Sequence, residues 1–360
     1  MSHTGAPGGS NEVLLALLDQ RPAEVTPACV FLAGGETAER ARALGIDTKV
    51  LTAGRAREAW RAPGIIRALR GIIRHHRADL VFAHSAKAQL YAAIAARSEH
   101  VPSLWWQHAL PGGQRALDTL AERLPTAGVI CISDFTASLQ RERTPRLPVH
   151  RVHGGTRVPL LPVGRPLASG RVGLVARLQR WKRVELLLRA VPLVVAAAPQ
   201  TTFSIVGGGD PSIDPDYPDE LRELARGMGV ENAVTFTGHV SRPGELIGGL
   251  DVLVHTADRE PFGLVYLEAM ARQVPVVAPL VGGSTEIVRH GVDGLLVDVS
   301  DADALAQALL ALLSDPERRR CMGAAGRERV RELFTLERMT AEAWRVAAEA
   351  AGSLSAERRR

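Results

Sequence analysis

The stretch Asp251-Val-Leu-Val-His-Thr-Ala-Asp-Arg-Glu260-Pro-Phe-Gly-Leu-Val-Tyr-Leu-Glu268-Ala-Met-Ala-Arg-Gln-Val-Pro-Val-Val-Ala278 decides the fold. It opens on a short apolar run, Asp251–Thr256, breaks at a proline and a glycine, continues with helix-forming residues and closes on a second apolar run, Val274–Ala278. Strand, turn, helix and strand in so short a span describe a crossover between parallel strands. Such sheets bind ligands at the carboxyl ends of their strands, where the turn carrying Glu260 falls. Gly263 stands where the helix begins, and the N–H groups of such a turn, with the helix dipole behind them, favour a diphosphate. Glu268 follows about a turn into the helix, within reach of ribose hydroxyls, while Glu260 on the loop is suited to accept hydrogen bonds from a sugar.

The same alternation extends outward in both directions. Strands are expected at Ala28–Ala33, Thr48–Leu51, Asp79–His84, Ser103–His108, Gly128–Ser133 and Val149–His153, and again at Arg171–Ala176, Thr202–Val206, Ala233–Thr237 and Gly294–Val297. Helical periodicity fills the intervals. In Pro63–Arg77, residues Ile65, Ile66, Leu69, Ile72 and Ile73 recur at helical spacing and define a buried stripe, with Arg67, Arg70, Arg74 and Arg77 on the opposite face. The glycines and prolines of 154–166 interrupt both periods and suit a linker. Three helical segments, Ala302–Ser314, Pro316–Phe334 and Leu336–Ala350, close the chain without intervening strands. The reading is α/β, with two doubly wound Rossmann-like domains, 1–160 and 161–335, facing across a cleft, and a helix in 336–360 packing back on the first.

A chain of 360 residues suits two cores. No apolar run reaches the roughly 18 to 20 residues that span a bilayer, and the polar opening lacks the order of a secretory signal, so a cytoplasmic location is expected. Cys29, Cys131 and Cys321 are too scattered for a disulfide framework or a thiolate metal site. Residues 1–160 carry 20 Lys and Arg against 13 Asp and Glu, whereas the remainder carry 24 against 26, so the whole basic excess lies in the first half. Aromatic residues are only 4% of the chain and no recognition helix accompanies the arginines, which argues against nucleic acid. An anionic acceptor or an anionic membrane surface, at the inner face, is the partner expected. A dinucleotide oxidoreductase is disfavoured because no G-x-G-x-x-G follows the first strand.

The Glu260–Glu268 stretch, followed by Gly282-Gly-Ser-Thr-Glu-Ile-Val288, closely resembles the donor-binding signature of the retaining glycosyltransferase family 4, among the glycosyl transferases of group 1, which have the GT-B architecture. Gln273 replaces the usual glycine and is expected to affect a turn more than chemistry. Upstream, Gly173-Leu-Val-Ala-Arg177-Leu-Gln-Arg-Trp-Lys182-Arg is similar to the element in which the family's Arg and Lys grip the nucleotide diphosphate, with Arg183 where the family often has glycine. Departure of a nucleoside diphosphate builds negative charge, and two preplaced cations stabilise it.

By the same resemblance, Gly207 and Gly208 border the phosphates, Val240 the nucleobase, and Phe262, Gly263, Leu264 and Glu268 line the nucleotide site. Gly8 and Gly9 form the first glycine loop, and His108, after Trp105-Trp106-Gln107, approaches the donor sugar, with His84 a weaker candidate of the same kind.

The implied activity is transfer of a hexose-type sugar, with retention, from a nucleotide diphosphate-sugar to a glycan, lipid-linked or small-molecule acceptor. His108, Glu260, Arg177 and Lys182 are the expected catalytic set. No cofactor and no metal are expected, since Arg177 and Lys182 supply the charge a metal would otherwise bring. A GT-B-type epimerase or hydrolase and a catalytically silent nucleotide-sugar-binding protein stay open as alternatives. The glycine loop begins almost at Met1, where the family places a buried strand first. That strand is therefore expected to be missing here, and the native reading frame to extend upstream by a short apolar segment.

Overall fold

The computed structural model describes all residues except 7, 55, 114, 161–169, 211–212, 242 and 358–360. The last six residues of the sequence-predicted linker, 161–166, thus lie outside the described residues. The chain forms two compact units, one of Met1–Gly155 with Leu336–Arg360 and one of Thr156–Thr335.

In the first unit, β1 (Ala28–Phe31) pairs in parallel with β2 (Asp47–Val50), and β3 (Val81–Ala83), β4 (Ser103–Gln107), β5 (Gly128–Cys131) and β6 (Val149–Arg151) form a four-stranded parallel sheet. Between β1 and β3 stand Met1 and Ser2, with Ser2 bridging Phe31 and His84. Ser2 N–H donates to Val30 O at 2.9 Å and Ser2 O accepts from Leu32 N–H at 3.0 Å, while Met1 O accepts from His84 N–H at 2.8 Å and the terminal amine donates to Phe82 O at 2.6 Å. Two residues thus satisfy inner backbone groups of both flanking strands, groups that are costly to bury unpaired. The closing helix Leu336–Glu357 belongs to this unit: Thr340 Oγ1 donates to Gln20 Oε1 at 2.8 Å, and Trp344 Nε1 to Leu17 O at 3.3 Å.

The stripe read in the third helix of this unit is buried at Ile65, Leu69 and Ile73. Its arginine face is not uniform. Arg70 and Arg74 both donate to Glu99, at 2.6 and 2.8 Å, whereas Arg67 and Arg77 are exposed and make no ion pair among the described residues.

The second unit is a six-stranded parallel sheet in the order β12-β11-β10-β7-β8-β9, with β7 at Arg171–Val175, β8 at Thr202–Val206, β9 at Val234–Gly238, β10 at Val252–Val254, β11 at Val276–Pro279 and β12 at Gly294–Val297. Leu174, Phe203, Ile205, Val252 and Val254 build the core with Leu187, Val191, Leu305 and Leu309 from the covering helices. The chain leaves β7 toward β8 and β9, then returns to lay β10 on the other side of β7. Strand order reverses there, so the loops after β7 and β10 diverge from one crevice.

Both departures from the family pattern fall on left-handed backbone: Arg183 has φ 50° and Gln273 φ 58°. A side chain in this region costs about 1–2 kcal/mol that glycine escapes, partly offset by glycine's freedom when unfolded. Gln273 is exposed, so Gln273→Gly removes little packing. It is expected to raise the unfolding free energy by about 0.5–1 kcal/mol, measured by urea titration; a loss of stability would show that the glutamine side chain earns its place in the turn.

Candidate active site

The crevice between the ends of β7 and β10 collects the charged residues picked out from the sequence. After β7 the chain passes Arg177 and enters a single 3₁₀ turn, Arg180–Lys182; after β10 it passes His255 and reaches Glu260. The two loops are tied by Thr256 Oγ1 donating to Lys182 O at 2.8 Å and Asp258 N–H donating to Trp181 O at 3.2 Å. That bracing sets Lys182 Nζ 2.6 Å from Glu260 Oε2, with only 12% and 9% of the two side chains exposed.

Lys182 Nζ also lies 3.9 Å from the centroid of the Trp181 ring, a cation–π contact. Burial pulls the ammonium below its ordinary range, Glu260 pulls it back up, and the nearby Arg177 adds to the lowering. Arg177 itself is exposed and has no ion-pair partner among the described residues. Of these two cations, Lys182 is thus neutralised and Arg177 is open.

His255, which sequence reading passed over as part of a strand, belongs to the same cluster. Its Nε2 is 3.5 Å from Lys182 Nζ and 3.6 Å from Glu260 Oε2. The only signal for it was a polar residue at the end of an apolar run. Tyr266 meets the His255 ring edge-on at 5.4 Å, and its buried hydroxyl has no hydrogen-bond partner among the described residues.

The turn after Glu260 is shaped by packing. Gly263 has φ 103° and caps the helix Leu264–Met270; a Cβ there would lie 2.2 Å from the Tyr266 ring. Gly283 N–H donates to Glu260 O at 2.9 Å, and a Cβ on Gly283 would sit 2.5 Å from Pro261 O. Close approach of backbone to backbone thus accounts for Gly283 without a ligand. The Phe262 side chain is core, 1% exposed and edge-on to Phe334, while Leu264 and Glu268 are half-buried.

Gly207 and Gly208 differ in the same way. Gly207 N–H donates to Gly238 O at 2.9 Å, and with φ 147° its Cβ would fall 1.7 Å from Ala176 O. At Gly208 the nearest atom to a Cβ is His239 Cβ at 3.5 Å, an ordinary contact. Gly207→Ala is expected to lose about 2 kcal/mol or more of stability, whereas Gly208→Ala should unfold like the wild type and show its effect only on a bound ligand; equal melting temperatures for the two variants would contradict this division. Val240, two residues after β9, is half-buried.

In the first unit, Gly8 caps the helix Gly9–Asp19, and both glycines are exposed; nothing lies within 4 Å of a Cβ built on Gly8. His108 stacks on Trp106 at 5.1 Å, and its Nε2 lies 3.3 Å from His84 Nδ1. Burial, aided by His3, pushes the His108 imidazole down to about 3, so it is neutral across the range of about pH 5 to 8. Its Nδ1 is buried with no hydrogen-bond partner among the described residues. His84, 2% exposed, stands behind it as its partner.

Residues 7–158 match Glycosyltransferase Family 4 and residues 165–329 match Glycosyl transferases group 1. The chain belongs to the family 4 glycosyltransferases. Among family relatives, a D-inositol 3-phosphate glycosyltransferase of Corynebacterium urealyticum is 39% identical over 44% of this chain and 38% of its own length. The D-inositol 3-phosphate glycosyltransferase 1 of Catenulispora acidiphila is 31% identical over 67% of this chain and 65% of its own. The chain spans about two-fifths of the length of the first curated relatives it matches. The GT-B fold is shared with Anabaena HepE, solved with UDP and glucose, at a TM-score of 0.84 with 23% identity, covering 96% of this chain and 98% of that one.

Proposed function

We propose that this chain is a retaining glycosyltransferase that moves a hexose-type sugar from a nucleotide diphosphate-sugar to a glycan, lipid-linked or small-molecule acceptor. The observation that carries the reading is the buried Lys182–Glu260 pair at the switch point of the sheet, with the open cation Arg177 beside it. An incoming diphosphate matches Arg177 directly and competes with Glu260 for Lys182. Glu260, so released, is a charged acceptor for sugar hydroxyls. Glu268 then reaches the ribose; Gly207 and Gly208 border the phosphates, Val240 the base, and Phe262, Gly263 and Leu264 offer backbone. The unit Thr156–Thr335 is assigned the donor and Met1–Gly155 the acceptor, with Gly8, Gly9 and neutral His108 on the acceptor side.

The sugar–phosphate bond lengthens, the departing phosphate oxygen takes the proton of the acceptor hydroxyl, and the acceptor oxygen bonds the anomeric carbon on the face the phosphate leaves. Configuration is retained, and no separate carboxylate base is required. Arg177 and Lys182 stabilise the charge that grows on the leaving group.

Metal independence follows from the same pair of cations. A peripheral place at the inner face of an anionic membrane is supported by the basic excess of residues 1–160 and the open Arg67 and Arg77, with no helix among the described residues long and apolar enough to cross a bilayer.

The test is thermal unfolding with UDP, GDP, ADP and dTDP sugars in the presence of EDTA. One of them is expected to stabilise the protein by about 2.7 kcal/mol at 100 times its dissociation constant, and Gly208→Ala is expected to abolish most of that gain. No stabilisation by any nucleotide sugar would overturn the reading, and stabilisation only with magnesium or manganese would overturn metal independence.

A further inference from the structure

The cluster around Lys182 contains a third buried polar group whose hydrogen bonds fix its protonation. Ala257 N–H points at His255 Nδ1 at 3.4 Å, so Nδ1 is the accepting nitrogen. In a neutral imidazole the proton then sits on Nε2. The ring is buried, 1% exposed, and burial together with the Lys182 ammonium holds its protonation well below the ordinary range. The charged or titratable groups that face the ring are Lys182, Glu260 and Tyr266, from three different segments.

A protonated Nε2 cannot accept from the Lys182 ammonium 3.5 Å away, and the carboxylate oxygen it faces is Glu260 Oε2. At 3.6 Å that contact is too long for a hydrogen bond while Lys182 holds the same oxygen at 2.6 Å. Movement of about 0.7 Å would close it. We propose that His255 is a positioning residue that takes over Glu260 when Lys182 turns to the donor diphosphate, its Nε2–H replacing the ammonium on Oε2 and leaving the other carboxylate oxygen for the sugar. The inference rests on the transferase reading for what draws Lys182 away.

The need for a replacement is physical. A carboxylate 9% exposed that lost the Lys182 ammonium would be a buried charge without a partner, which is costly. A neutral donor at Nε2 partners the carboxylate without competing for the phosphate. A second cation at this position would not, because it would share the diphosphate with Lys182.

Two readouts test this. In the free protein, long-range nitrogen–proton correlation spectra of the histidines should show His255 as the Nε2–H tautomer, and saturating UDP or GDP should move the Nε2–H resonance downfield. An Nδ1–H tautomer, an imidazolium at neutral pH, or no shift on nucleotide binding would overturn the proposal. In turnover, His255→Phe should lower kcat about tenfold or more while the affinity for the sugar-free nucleoside diphosphate changes less than about twofold, and His255→Gln, which restores a side-chain N–H, should recover most of the rate. A glutamine variant as slow as the phenylalanine one, or nucleotide affinity falling in step with kcat, would reduce His255 to packing. Should the phenylalanine variant fail to fold, the spectra of the wild type still decide. Failure of the transferase reading is recognised separately, as a wild type that binds no nucleoside diphosphate.

Discussion

Lys182→Ala is expected to damage both stability and turnover, because the residue is one half of a buried ion pair. Removing it leaves Glu260 charged, 9% exposed and without its cation, with the neutral His255 Nε2–H left to face it, a loss of about 3 kcal/mol or more. The loss is read as a lowered urea midpoint relative to wild type. The double variant Lys182→Met with Glu260→Leu should recover much of the stability and none of the activity. An unchanged urea midpoint would mean that the pair is not buried as described.

Arg177→Ala should behave in the opposite way. The residue is exposed and free of ion pairs among the described residues, so its removal should leave the melting temperature within about 1 °C of wild type. Its proposed work is done only as charge grows on the leaving diphosphate. Loss of one such preorganised donor slows transfer by about 100-fold or more. Measured kcat/KM for the variant, set against its melting temperature, checks both halves; a rate near wild type would remove Arg177 from the site, and a large fall in melting temperature would make it a structural residue.

The strands and their parallel order were legible because β-branched runs such as Val252–Val254 and Val276–Ala278 are buried on both faces and carry little else. Glu260 was singled out by its place after a strand, and Arg177 and Lys182 by the family resemblance. What could not be read was that Lys182 and Glu260 neutralise one another, since 78 positions separate them and only the reversal of strand order beside β7 brings them together. His255 was hidden for the same reason: in the sequence it is a lone polar residue in a strand, and its partners come from segments far away. The division of the arginine face of the helix 63–77 could not be read because Glu99, which takes up Arg70 and Arg74, caps the end of the next helix. Gln273 and Arg183 show the reverse case. Each was noticed as a missing glycine, and each proves to hold the left-handed backbone that glycine would adopt without strain.

Glu260, paired with Lys182 at rest, is proposed to act on the sugar of a nucleotide diphosphate donor whose configuration survives transfer. The most direct measurement is a proton NMR time course of donor breakdown, following the anomeric signal with water, inositol phosphate and phospholipid vesicles offered as acceptors. The account predicts release of the nucleoside diphosphate together with a product of the donor's own anomeric configuration, and loss of nearly all of this rate in Glu260→Ala with nucleoside diphosphate binding retained. An inverted product, a Glu260→Ala variant as fast as wild type, or intact donor after prolonged incubation with protein shown to bind it would contradict the account.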